Sequence, residues 1–219
     1  MKSQVVIAAG LVAVALVSCG PSEAEIKAAK EKATADSLAA AAAAEKSYTV
    51  DVANSSASWA AKVTGPAPYG HHGKIDFNSG SFSVKGGQLA SGTFEVNMKS
   101  ITPLDSAYQP EGSKQGTKTQ LIGHLTTADF FAVDSFPTAT FVVTSVEGNT
   151  ATGELTVRGK KNTEKVTDIV ITEDGANVKA TGKLVFDRQK YGVAWKHFLK
   201  DAILSNDIEL NLRIAGTAK

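Results

Sequence analysis

Asp207-Ile208-Glu209-Leu210-Asn211-Leu212-Arg213-Ile214 is the stretch on which the fold turns. Its apolar residues fall on every second position, so one face of an extended chain is buried and the other is wet. The same period runs backwards through the chain: Val178, Ala180, Gly182, Leu184 and Phe186; Leu155 and Val157; Phe141 and Val143. Upstream it recurs in Phe94, Val96 and Met98, in Ile75 and Phe77, in Ala57, Trp59, Ala61 and Val63, and in Tyr48, Val50 and Val52. Gly86-Gly87, Gly148-Asn149, Gly159 and Asp174-Gly175 punctuate these runs as turns. Such short connections imply antiparallel neighbours. The count is about eight strands, a number that can close into a barrel and leave no exposed edge. A two-sheet sandwich would alternate in the same way, so periodicity leaves both architectures open.

Two stretches interrupt the alternation. Residues 101–118 hold Pro103, Pro110, Gly112 and Gly116 and read as a long loop. Leu121, Ile122, Leu125 and Phe130 follow at helical spacing, predicting a helix within 119–131 before Phe136-Pro137 starts a new strand. The second stretch, residues 188–201, carries Tyr191, Trp195 and Phe198. Two aromatic-bearing excursions in a small barrel can cover a mouth or plug an end.

Charge and composition narrow the class. Of 219 residues, 42% are hydrophobic and 21% charged, enough for one domain with a core that needs no disulfide. The net charge of +1 lacks the basic field that nucleic acids require. The apolar run from Val5 to Val17, preceded by Lys2, is shorter than the roughly 20 residues of a membrane span and reads as a secretory signal. It ends in Leu16-Val17-Ser18-Cys19-Gly20, which resembles the lipobox of bacterial lipoproteins and implies cleavage before Cys19 and lipidation of its thiol. Cys19 is the sole cysteine, so that position is also the chain's only candidate anchor. Gly20 in place of Asp favours, by the same analogy, an outer-membrane destination, facing the periplasm or the surface. Residues 1–18 are thus read as signal peptide. Residues 19–46, rich in Ala, Glu and Lys, read as a helical linker without an apolar face, and 47–219 as the barrel domain.

Several chemistries find no motif. His71 and His72 are adjacent and point to opposite faces of a strand, and no His-x-His or His-x-x-x-His pair joins the four histidines, so no metal site is expected. Nucleophile-elbow, phosphate-loop and dinucleotide-loop patterns are missing, and no enzyme activity or cofactor is expected.

The order of motifs resembles the YceI family of periplasmic lipid-binding proteins. The resemblance is carried by Tyr48-x-Val50-Asp51 with Ser55 and Trp59, by Gly92-Thr93-Phe94, and by His124-Leu125-x-x-x-Asp129-Phe130-Phe131. Phe136-Pro137-Thr138-Ala139-Thr140-Phe141, Gly153-x-Leu155-Thr156-Val157-Arg158-Gly159 and Asp187-Arg188-x-x-Tyr191-Gly192 continue it. Departures occur at Ile122-Gly123, where many relatives carry Arg-Asp, and at Gly70-His71-His72-Gly73. The resemblance implies a lipocalin-like, eight-stranded antiparallel barrel with an elongated apolar cavity that holds a polyisoprenoid or another long-chain amphiphile. Family precedent also raises a homodimer as an assembly. On this reading Trp59, Phe77, Phe94, Val96, Met98, Phe141, Leu155, Phe186, Leu210 and Leu212 line the cavity, and Ala61, Ala180 and Gly182 leave room for the chain. His124 is the candidate polar contact. The competing expectation is a barrel packed solid, serving as an interaction module for another envelope protein.

Overall fold

A computed structural model describes residues 21–106, 108–196 and 200–219. The segment read as a signal peptide, Cys19 and the aromatic Phe198 therefore lie outside the described residues. Two compact units divide at residue 41. In the first, helix α1 (Glu23–Ala43) starts from a reciprocal cap: the Glu25 amide donates to the Ser22 hydroxyl, and the Ser22 amide donates to the Glu25 carboxylate at 2.7 Å. Residues 21–37 are all exposed, as expected of a helix with almost no large apolar side chains. Among the described residues no helix is long and apolar enough to cross a membrane.

The second unit is a closed antiparallel barrel. Its strands are β1 (Glu45–Val50), β2 (Ser56–Thr64), β3 (Tyr69–Lys85), β4 (Gln88–Asn97), β5 (Thr102–Pro103), β6 (Thr138–Glu147), β7 (Thr150–Val157), β8 (Lys160–Asp174), β9 (Asn177–Asp187), β10 (Ile203–Leu204) and β11 (Asp207–Ala218). The sheet runs β2-β3-β4-β6-β7-β8-β9-β11 and closes when β11 pairs back onto β2, with Leu210 opposite Trp59. Closure excludes the sandwich. Strand β1 is not a ninth stave. It continues the line of β2, pairing with the far ends of β11 and β3 (Val50 opposite Gly216, Lys46 opposite Val84). Between β1 and β2 the chain jogs through one 3-10 turn. Asp51 caps that turn, and Ser55 holds it to β11 by accepting from the Ala215 amide at 2.9 Å.

Sequence periodicity predicts the right number of staves with one wrong member. It counts Tyr48–Val52 and passes over β8. The reason is local: Asp168 sits at φ +55 in a bulge, so Val166 and Ile169, both lining the interior, are three residues apart rather than two. Further along, the inward place is taken by the buried Glu164. The expected helix is also shorter than its apolar spacing suggests. Helix α2 (Lys118–Thr126) opens with a Thr117–Gln120 capping box and stops at Thr127, whose amide donates to the His124 carbonyl. Phe130 and Phe131 follow in turns. Within the long loop, β5 pairs with β3.

Strand direction gives the barrel two different ends. The tight turns at 86–87, 148–149 and 175–176 gather at one end. There Tyr48, Phe82, Val84 and Val178, none more than 4% exposed, pack into a plug, and the Tyr48 hydroxyl donates to Glu173. At the other end lie the 65–68 connection and both long excursions, residues 98–137 and 188–206.

Candidate functional site: an apolar bore with a polar mouth

Alternation sends one face of every stave inward, and the resulting interior is not filled. A bore of about 180 Å³ runs through it, and apart from Thr140 and Thr181 every side chain on its wall is apolar. Trp59 reaches it from β2, Phe77 from β3, Phe94 and Val96 from β4, and Met98 from the turn after β4. Phe141, Leu155 and Phe186 come from β6, β7 and β9, and Leu210 and Leu212 from β11. Ala61, Ala180 and Gly182 are on the wall as well. Trp59, Val96, Phe141, Leu210 and Leu212 point inward yet remain only partly buried, as side chains facing open space do.

Glycines keep the rings against the wall. Trp59 lies opposite Gly73, Phe94 opposite Gly80, and Phe82 opposite Gly92 in the strand register. A Cβ at Gly73 would come within 2.5 Å of the Trp59 ring, and one at Gly153 within 2.5 Å of Phe141. The indole of Trp59 is fixed further by donating to the Lys74 carbonyl at 3.2 Å.

Above the bore, at the excursion end, is a second chamber of about 510 Å³. Trp59, Ala61, Leu125 and Phe130 line both spaces and form the neck between them. The chamber is more polar, with Tyr69, His71, Tyr108, Thr117, Gln120 and His124 on its wall. His124 is here rather than in the bore. Its ring meets Phe130 and Trp195 edge-on, at centroid distances of 5.3 and 4.8 Å, and its Nε2 is buried without a hydrogen-bond partner. Burial lowers its pKa against a small opposing pull from Asp129, so the imidazole is held in its neutral form.

Sequence reasoning missed the group across the chamber. His71 Nδ1 is 3.1 Å from Asp105 Oδ1, and Tyr108 donates to Asp105 Oδ2 at 2.7 Å while its ring stacks on His71. Burial pushes the Asp105 carboxyl up, but hydrogen bonds from Tyr108, His71 and the His72 amide outweigh it and hold the group below its ordinary value. A carboxylate can only accept, so it fixes the His71 proton on Nδ1 and leaves Nε2 as the nitrogen His71 can offer. No spacing rule joins residues 71, 105 and 108. The loop brings them together when the Leu104 amide bonds the His72 carbonyl. His72 itself is exposed on the other face, as adjacency on a strand requires. Among the described residues no cluster of three or more His, Cys, Asp or Glu could hold a metal ion.

The mouth is tied together by two arginines. Arg158, at the β7–β8 turn, donates to the Gly192 carbonyl at 2.6 Å and the Ala128 carbonyl at 3.0 Å, one from each excursion. Arg188, 2% exposed, donates to the carbonyls of Val193 at 2.5 Å and Ser205 at 3.0 Å.

A closed antiparallel barrel with one plugged end, one covered mouth and an apolar bore is a hollow barrel of the lipocalin-like class. Within that class the chain belongs to the YceI-like family, whose domain model matches residues 48–215. Among solved structures, BcnA of Burkholderia cenocepacia shares the fold with a TM-score of 0.57 and 21% identity, over 77% of this chain and 99% of its own. A polyisoprenoid binding domain from Saccharophagus degradans aligns with a TM-score of 0.49 and 10% identity, over 78% and 98%. The YCEI protein of Campylobacter jejuni aligns with a TM-score of 0.44 and 16% identity, over 72% and 84%. No curated protein matches the chain.

Proposed function

We propose that this protein encloses a long apolar chain of the polyisoprenoid kind, with the tail in the bore and the head in the mouth chamber, and that Cys19 anchors it by lipid to the cell envelope. The observation that carries the reading is the bore wall between plug and neck, apolar but for Thr140 and Thr181 and without a charged side chain. A hydrocarbon tail gains about 25 cal/mol for each Å² it hides from water, and a wall without charges asks no desolvation cost of it. The bore is narrow and the chamber lies within the ~300–1,000 Å³ usual for ligand sites, which suits a single extended tail with a bulkier head. Met98, on the wall, has the side-chain freedom to adapt to branched methyl groups. Trp59, Phe77, Phe94, Val96, Phe141, Leu155, Phe186, Leu210 and Leu212 are then tail contacts, and the task is binding for transport, storage or sequestration rather than turnover. Anchoring in the outer membrane follows the lipobox analogy.

The test is organic extraction of protein purified from its native host, followed by mass spectrometry. One recurrent lipid near one equivalent per chain is expected. Repeatedly clean extracts, with no uptake of added polyprenol, would favour the solid interaction module. Replacing Cys19 with Ser and following membrane fractionation tests the anchor separately; the variant is expected in the soluble fraction.

A further inference from the structure

The connection between β2 and β3 is unlike an ordinary polar surface turn. From Val63 to Gly73 it holds no Lys, Arg, Asp or Glu, and its tip, Gly65-Pro66-Ala67-Pro68-Tyr69, is exposed throughout. Two prolines stiffen the backbone there, so the tip has little freedom to fold its apolar surface away. The second excursion is strapped along it. The Ser205 amide donates to the Lys62 carbonyl, the Thr64 hydroxyl donates to the Ile203 carbonyl at 3.4 Å, and a Cβ on Gly65 would come within 2.4 Å of the Asp201 carbonyl oxygen. Ile203, 65% exposed, thus pairs with Thr64 on one edge of β2, and Tyr69, 45% exposed, pairs with Val63 on the other. Apolar surface continues inward from there. Val63, Tyr69 and Leu204 line the chamber, and Trp59 and Ala61 lead from it into the bore. The charge on this side of the mouth is positive. Lys62, Lys196 and Lys200 are exposed, and Asp201 is the only acid in residues 188–206. Glu209, which feels the charge of Lys62, is held by Lys183 at 3.2 Å. The first excursion carries both signs, with Lys114 and Lys118 against Glu111, Asp129 and Asp134, so the positive field belongs to the side of the tip.

Resting on the reading that the barrel holds a long apolar chain, we propose that this tip is a membrane-docking surface. Pro66, Ala67, Pro68, Tyr69 and Ile203 enter the headgroup layer of an anionic bilayer, where an aromatic ring with a polar end is at home. Lys62, Lys196 and Lys200 meet the phosphates. A chain too apolar to travel through water has to come from a lipid phase or go to one. With the tip docked, the chamber opens onto lipid, and a tail passes between bilayer and bore without crossing water.

Cys19 is the sole cysteine, so in a Cys19→Ser background one added thiol carries one polarity-sensitive dye. Ala67→Cys places it at the tip, and Asn149→Cys places it in a turn at the plugged end. Vesicles are phosphatidylcholine alone, or equal parts phosphatidylcholine and phosphatidylglycerol. The dye at position 67 is expected to brighten and shift to the blue with the anionic vesicles, and to revert in high salt. The dye at position 149 should not respond. Lys196→Gln combined with Lys200→Gln should weaken the anionic-vesicle response by about thirtyfold. Ile203→Asp should slow uptake of a polyprenol probe from vesicles by about tenfold and leave its uptake from detergent solution unchanged, which also shows that the variant is folded. A tip dye that ignores both vesicles, or responds no more than the dye at the plugged end, overturns the docking surface whatever the barrel holds. Unslowed vesicle uptake in Ile203→Asp overturns the loading route. If the wild type takes up polyprenol by neither route, the tail reading itself is refuted, and the proposed route falls with it even where the tip dye responds.

Discussion

His124 concentrates the chemistry of the mouth in one side chain, and its protonation is linked to stability. Its folded-state pKa lies below the unfolded value of about 6.5, so the unfolded chain binds the proton first. The contribution is complete above that pH and is lost as pH falls towards the depressed folded pKa. The urea midpoint should therefore drop between about pH 7 and pH 5, and the drop should be shallower in His124→Phe. Parallel curves for the two proteins would show that His124 does not carry the effect. Gly153 makes the corresponding case for shape. Its missing side chain accommodates the Phe141 ring and the Val142 carbonyl, which an added Cβ would meet at 2.5 and 2.6 Å. Gly153→Ala is expected to cost about 1–3 kcal/mol by overpacking. It should also weaken probe binding as the ring swings into the bore. A variant with wild-type melting and affinity would show that the wall yields there freely.

At the scale of elements, the later motifs of the family resemblance, from Phe136 to Gly192, supply residues that fasten the mouth. Arg158 reaches both excursions, Phe136 lies under Gly159, and Arg188 and Tyr191 are buried at the root of the second excursion. Arg158 pays for this with a left-handed backbone, φ +49, in the turn before Gly159. Arg158→Asn keeps a residue that tolerates that conformation and removes only the clamp. It should cost about 1–2 kcal/mol, and hydrogen exchange should quicken in residues 127–136 and 188–196 but not at the plugged-end hairpins. Uniform quickening around the barrel would argue against a local clamp. This division also explains what the sequence could disclose. Staves with one wet face leave a period-two trace, so the wall residues from Trp59 to Leu212 are legible. Strand β8 is hidden by the Asp168 bulge and by Glu164, which faces inward because Tyr191 donates to it at 3.1 Å. The His71–Asp105–Tyr108 group is assembled by loop closure, which has no period at all. Trp195 is visible only as an aromatic in an irregular stretch.

For the whole molecule, the distinction that matters is hollow against solid, and it can be put to a test that needs no ligand. In a filled core an enlarged side chain has nowhere to go, and overpacking costs about 1–3 kcal/mol. In an open neck the same change buries new apolar surface at about 25 cal/mol per Å² and removes empty volume. Ala61 sits at the neck, on the wall of both the bore and the chamber, and its strand partner His71 lines the chamber beside it. Ala61→Phe is expected to match or exceed the wild type in melting temperature once lipid has been extracted, and to lose uptake of a prenyl chain because the passage is closed. The wild type alone should gain stability on loading. At a hundredfold excess over Kd the gain is about 2.7 kcal/mol, or roughly 5–10 °C for a domain of this size. A destabilised Ala61→Phe protein would place the barrel among solid modules. A stable one that still loads lipid would move the entrance away from the neck between Trp59, Leu125 and Phe130.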